Sequence, residues 1–245
     1  MRYMPLFVAA LARRCDAVLT VLYEDDALAV CLKPVGVLSQ SAPGESGGDM
    51  LSLLREQLGC RDVYLIHRLD RGVGGVMVFA KRQDAAGRLS AAVADRSLIK
   101  EYVAMVHGEP HESQGEMVDL LYKDAAKNKS FVVARQRAGV KSAQLRYRVV
   151  ARYTDDEGAP LTLVRIRLGT GRTHQIRVQF SSRGMPLVGD GKYGARDHGV
   201  PVALWSCRLC FPHPIKRGKM IDIFCPPPAE GAFARCAGVE WQQEK

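Results

Sequence analysis

The run from Tyr64 to Lys81, YLIHRLDRGVGGVMVFAK, decides how the rest of the chain is read. Asp70 sits between Arg68 and Arg71, and His67 opens the cluster. A carboxylate beside guanidinium groups stays ionised and is held in one geometry. The glycine-rich turn Gly72-Val73-Gly74-Gly75 follows, and glycines there let a bulky polymer approach the acid closely. Val76 to Ala80 is an uninterrupted apolar run bounded by that turn, the pattern of a buried strand. In isolation an Arg-x-Asp triplet reads as a solvated surface pair. The rest of the chain argues for more.

The chain has 245 residues, 47% of them hydrophobic and 25% charged, enough for one large globular domain or two closely joined lobes. Its net charge of +9 favours a polyanionic partner. No apolar run approaches the ~20 residues of a membrane span, so no membrane association is expected. The apolar stretch Met4 to Leu11 is short and is followed by Arg13 and Arg14, which reads as a leading helix or ragged extension rather than a signal peptide. Seven scattered cysteines suit reduced thiols in a cytoplasmic protein. Cys207 and Cys210 have zinc-like spacing, but ALWSCRLCF reads as a strand, on which residues three apart face opposite ways, and no metal site is expected.

Along the chain, Val18 to Leu32 reads as paired strands around Glu24-Asp25-Asp26. Ser41 to Gly48 reads as a polar loop, and Asp49 is placed to cap a helix over Met50 to Leu58. A second amphipathic helix spans Asp84 to Ala94, followed by a strand from Ile99 to His107. Lys123 to Arg152 is strongly basic, with strand-like pieces at Phe131 to Ala134 and Gln144 to Val150. Leu161 to Leu168 is a further strand, and Thr173 is expected to cap a helix through Ser182 that Gly184 ends. Strands outnumber helices without regular βαβ alternation. The expected class is therefore α+β, with a largely antiparallel or mixed central sheet flanked by helices and loops. We divide the chain into an extension, residues 1–20, a main domain, 21–228, and a poorly ordered or loosely docked tail, 229–245.

His67-Arg68-Leu69-Asp70 with Gly75 resembles the HRLDxxTSG motif of the RluA-type pseudouridine synthases. Lys33-Pro34-Val35-Gly36 resembles the family's KPxG segment. Lys100-Glu101-Tyr102-Val103-Ala104 and Thr170-Gly171-Arg172-Thr173-His174-Gln175-Ile176-Arg177 resemble two further blocks in the same order. Gly189-Asp190, Tyr193-Gly194 and Phe211-Pro212-His213-Pro214 complete a likeness running from about Val21 to Pro227. The resemblance implies the pseudouridine synthase catalytic fold and an isomerase that converts specific uridines in structured ribosomal or transfer RNA. Too few residues precede the likeness for the S4-type RNA-binding domain that the family often bears, so substrate selection is expected to come from the catalytic domain. A monomer is expected, with no obligate protein partner.

Pseudouridine formation breaks the N1–C1′ bond of uridine, turns the base and rejoins it through C5, with no net redox change and no cofactor expected. It needs a carboxylate near C1′, as nucleophile or as stabiliser of a developing cation. By resemblance Asp70 is that acid, Tyr102 stacks on the uracil or moves a proton at C2′ or C5, and Arg177 pairs with Asp70. The base must first leave its stack, a task that the resemblance gives to Arg68. His67 either assists or is a packed ring. Arg172 and His174 are expected RNA contacts or scaffolding, and Lys127, Lys129 and Arg135 are expected to meet RNA phosphates. Two departures stand out, Val73-Gly74 for the usual Thr-Ser and Leu204-Trp205-Ser206 for a usual Leu-His-Ala. They leave open an RNA-binding or remodelling relative with weak or no isomerase activity. A glycoside hydrolase would want a second acid near Asp70, where the sequence supplies arginines.

Overall fold

Strands β1 (Val21–Glu24) and β2 (Leu28–Lys33) form the expected hairpin in a computed structural model that describes residues 18–42, 47–197 and 199–241. Oδ1 of Asp25 accepts from the backbone N–H groups of Ala27 and Leu28, at 2.9 and 3.1 Å, and so makes the turn. Its Oδ2 lies 2.8 Å from Nε2 of the buried His213, which ties the Phe-Pro-His-Pro segment to that turn. Helix α1 (Met50–Leu58) is capped by Asp49, whose Oδ1 accepts from Ser52 N–H at 2.9 Å, and stops at Gly59 in the left-handed conformation. The leading stretch Met4 to Leu11 and part of the loop from Ser41 to Gly48 lie outside the described residues.

Next come β3 (Tyr64–Leu65), β4 (Gly74–Ala80), α2 (Gln83–Ala94) and β5 (Ile99–His107). They are followed by β6 (Gln114–Asp124), β7 (Lys129–Val133), β8 (Val140–Thr154) and β9 (Pro160–Leu168). Helix α3 (Gln175–Ser181), β10 (Leu204–Pro212) and β11 (Met220–Phe224) complete the domain. The main path of the sheet runs β1-β2-β4-β10-β5-β9-β8-β6-β7, with β3 against β4 and β11 against β10. Among the strands of the described residues, only β4 and β10 pair in parallel. The sheet is mixed and mostly antiparallel, as expected.

All seven residues of β4 are buried, because the strand carries helices on both faces. Met77 and Phe79 pack with Met50 and Leu54 of α1, while Val76, Val78 and Ala80 pack with Ala85 and Leu89 of α2. Tyr102, Ala104 and Val106 of β5 join the first layer, together with Ile176 and Phe180 of α3. Val103 and Met105 face the other way, into a layer with Leu163, Trp205 and Cys207.

Two expectations are corrected. Thr173 does not cap α3. The cap position is held by His174 at φ 53° with no side-chain cap bond, because the Gln175 side chain satisfies this turn by accepting from Arg172 N–H at 3.0 Å and Thr170 O–H at 2.7 Å. The described part of the tail, residues 229–241, is not loosely docked: a 3-10 turn, Gly231–Cys236, buries Phe233 and Cys236 against the Val103–Met105 face. Among the described residues, no helix is long and apolar enough to cross a membrane.

Candidate active site

The loop between β3 and β4 carries Asp70, and the buried residues beneath it fix its path. Nζ of Lys33, wholly buried, donates to the carbonyls of Pro34, Val37 and Arg71 at 2.9, 2.6 and 3.3 Å. This explains the Lys-Pro-x-Gly segment: it is a knot that clamps the end of the Asp70 loop. Burial pushes the Lys33 ammonium down to about 8 against the pull of Asp70. Ser39 Oγ donates to Leu69 C=O at 2.8 Å and accepts from Leu69 N–H at 3.0 Å, one residue before the acid. Val73 N–H closes a turn onto Asp70 C=O at 3.0 Å.

The guanidiniums that flank Asp70 in sequence are not its partners. Arg71 turns away and donates to Gly36 C=O at 3.0 Å, and Arg68 is exposed along the cavity wall. The cation at Asp70 is Arg177, whose Nη1 donates to Oδ2 at 3.2 Å. Arg177 is shared, for its Nε and Nη2 form a two-pronged pair with the fully buried Asp190 at 2.6 and 2.7 Å. Burial pushes the Arg177 pKa down, and Asp190 first, then Asp70, outweigh it and raise it above the ordinary arginine range. His174 Nε2 also lies 3.6 Å from Asp70 Oδ2. Its Nδ1 is 2.9 Å from Tyr193 Oη, which accepts from Ser130 N–H at 2.8 Å. Asp190 and Tyr193 were not expected as site residues, although both stand in the Gly-Asp and Tyr-Gly pairs that the sequence singles out.

Tyr102 lines the same cavity from β5. Burial raises its hydroxyl well above the ordinary tyrosine range, nearby Asp70 adds to this, and a hydrogen bond with Ser206 opposes it. It is therefore a neutral phenol. Ser206, wholly buried, donates to Val76 C=O at 3.0 Å and so bridges β10 and β4 beside the tyrosine.

The cavity has a volume of about 940 Å³, at the upper end of the roughly 300–1,000 Å³ usual for ligand sites. Asp70, Tyr102, Arg177, Arg68, His67, Arg172 and His174 all line it. Eight of its lining residues are Lys or Arg and Asp70 is the only acid, so its field favours a polyanion. Arg172 is exposed and donates through Nε to Ser142 C=O at 2.9 Å. The His67 ring is buried and its Nε2 accepts from Val78 N–H at 3.3 Å, which makes it part of the wall. Lys127, Lys129 and Arg135 are not in the lining, whereas Lys100, Lys123 and Lys192, which the sequence did not suggest as contacts, are. Lys129 stacks its ammonium over the rings of Tyr193 and Phe131, at 5.1 and 5.8 Å from their centroids.

Residues 27–182 match the family described as RNA pseudouridylate synthase. The chain is 32% identical over 220 residues to an uncharacterised RNA pseudouridine synthase of Aquifex aeolicus, covering 83% of this chain and 68% of that protein. It is 32% identical over 229 residues to the ribosomal large subunit pseudouridine synthase C of Salmonella typhimurium, covering 89% and 69%. Among solved structures, human RNA pseudouridylate synthase domain containing 1 superposes with a TM-score of 0.76 at 22% identity, covering 92% of this chain and 90% of that one.

Proposed function

The chain belongs to the RNA pseudouridylate synthase family, and on that premise we propose that it isomerises uridines of structured RNA with Asp70 as the group that acts at C1′. The observation that carries this is the meeting of Asp70, Arg177 and Tyr102 in one basic cavity, although they come from three separate parts of the chain. Arg177 holds the carboxylate in place at 3.2 Å while the uracil N1–C1′ bond breaks and the sugar gains positive character. The base then turns, C5 bonds to C1′, and the proton on C5 leaves. Tyr102, a neutral phenol on the cavity wall, is suited to stack on the uracil and to hydrogen-bond at C2′ or C5. Arg68 reaches into the same cavity with an exposed guanidinium and takes the place of the extruded base. Arg172 and the exposed lysines hold phosphates.

The relatives named as ribosomal large subunit enzymes make large-subunit RNA the first place to seek the target. We take the enzyme to act as a cytoplasmic monomer, which light scattering of the purified protein tests. The central test is Asp70→Asn. Turnover should vanish while RNA affinity stays within about tenfold, because phosphate contacts supply most of the binding and the carboxylate supplies chemistry. Binding and single-turnover assays on one preparation decide it, and a variant that still turns over would remove Asp70 from the mechanism.

A further inference from the structure

His174 sits in the left-handed backbone region at φ 53°, a conformation that costs a side-chain-bearing residue energy and that persists where the surroundings hold it. Its side chain is only 7% exposed, and the ring stands edge-on to Tyr193 with centroids 5.6 Å apart. Tyr193 Oη accepts from the backbone N–H of Ser130, so its own proton points to His174 Nδ1, 2.9 Å away. That leaves the proton of a neutral imidazole on Nε2. The same tautomer is selected from the other side, since a lone pair on Nε2 would face the Asp70 carboxylate 3.6 Å away. Arg177 donates to that carboxylate on the same oxygen, Oδ2, and among the described residues no hydrogen bond reaches Oδ1.

We propose that His174 is a positioning residue for the isomerisation: its Nε2–H, oriented by Tyr193 and Ser130, fastens Oδ2 of Asp70 alongside Arg177 and leaves Oδ1 as the oxygen that faces C1′. The inference rests on the assignment of Asp70 above. At 3.6 Å the contact is a directed electrostatic one, and such contacts tighten to hydrogen bonds when substrate fills the site. The charged groups around the ring are Asp70 from the β3–β4 loop, Arg177 from α3, Asp190 and Lys192 from the turn after it, and Lys129 across Tyr193 from β7. Burial, with Arg177 and Lys192, outweighs the pull of Asp70 and holds the ring below the ordinary histidine pKa, in keeping with a neutral donor.

The test is a single-turnover assay of His174→Asn, His174→Gln, Tyr193→Phe and Asp70→Asn, on the transcript used to measure wild-type turnover. Asn tolerates the left-handed backbone but is too short to reach Oδ2. His174→Asn should therefore stay folded and bind RNA within about threefold, yet lose about a hundredfold in rate, the scale of removing one preorganised donor. His174→Gln, whose amide can reach the position of Nε2, should recover most of that loss. Tyr193→Phe, which frees the tautomer, should lose roughly tenfold. A His174→Asn variant with the wild-type rate, or a His174→Gln variant as slow as His174→Asn, beside an inactive Asp70→Asn, overturns this inference alone. Turnover by Asp70→Asn overturns the assignment of Asp70, and the inference with it.

Discussion

The two departures from the family motif that the sequence shows, Val73-Gly74 and Trp205-Ser206, are neighbours across β4 and β10: Trp205 pairs with Gly74 and Ser206 with Gly75. A Cβ on Gly74 would lie 2.5 and 2.9 Å from two atoms of the Trp205 ring, and one on Gly75 would lie 2.2 Å from Ser206 C=O. The tryptophan therefore needs the glycine, and the loss of a serine and of a histidine is one packing change rather than two lost polar functions. Val73 is likewise buried in the apolar layer beneath the loop. Gly74→Ser should destabilise by about 1–3 kcal/mol through overpacking. Trp205→His should cost about 2–4 kcal/mol by opening a void and removing the Nε1–H bond to Cys225 C=O. The double variant, which restores the family's usual pair, should be more stable than the sum of the two losses by at least about 1 kcal/mol. Denaturant unfolding of the four proteins measures that coupling, and strict additivity would mean that the two sites are independent. Arg177 teaches a related lesson. Its pairing with Asp70 is implied by resemblance, but its stronger partner, Asp190, follows thirteen residues later and is brought in only by the turn after α3.

At the scale of elements, the basic region resolves into the end of β6, β7 and most of β8, and the turn of the β6–β7 hairpin is tied to the cavity rim. Ser130 Oγ donates to Thr173 C=O at 2.7 Å, and Lys192 Nζ donates to Asn128 C=O at 2.9 Å. The turn end of the hairpin thus presents Lys127 to solvent near the cavity while Ser130 beside that turn orients Tyr193, and Arg135 is exposed beyond the far end of β7. Neutralising Lys127, Lys129 and Arg135 together should weaken RNA binding and lower the slope of log affinity against log salt by about two. A slope equal to that of wild type would leave these charges to solubility. Strand and helix positions in this region were legible because period-2 and period-3.6 apolar patterns report burial directly. Other features were not legible because they depend on long-range partners. Arg71 leaves Asp70 for a carbonyl thirty-five residues upstream, and the start of α3 is satisfied by Gln175 rather than by Thr173. A local pattern cannot display a bond closed by a distant segment.

For the whole molecule, a mixed sheet covered on both faces divides the labour. The first face, with α1 and α3, carries Tyr102 and Arg177 to the cavity, and the second face of β5 and β9 is closed by the C-terminal segment. The pattern of strands and helices foretold an α+β core large enough for this, but not which segment would finish it, because residues 229–241 follow Pro226 to Pro228, are rich in Ala and Gly, and have only spaced apolar anchors. Phe233 and Cys236 are those anchors, with Val239 and Trp241 packed beside them over Val103, Met105 and Trp205. Arg235 pins the segment further, donating to Thr154 C=O at 3.3 Å and to Asp156 at 2.7 Å. The exposed Arg235–Asp156 pair contributes little beside the buried ring of Phe233. Phe233→Ala should therefore cost about 3 kcal/mol of unfolding free energy, near the lower end for a buried aromatic because the segment can partly collapse. Arg235→Ala should cost well under about 1 kcal/mol. Since Phe233 lies on the face away from Asp70, the folded Phe233→Ala protein should bind RNA and turn over within about threefold of wild type. Chemical denaturation and a single-turnover assay at low temperature test the two halves of this expectation. A Phe233→Ala protein as stable as wild type would mean that the segment rests on the sheet without holding it together.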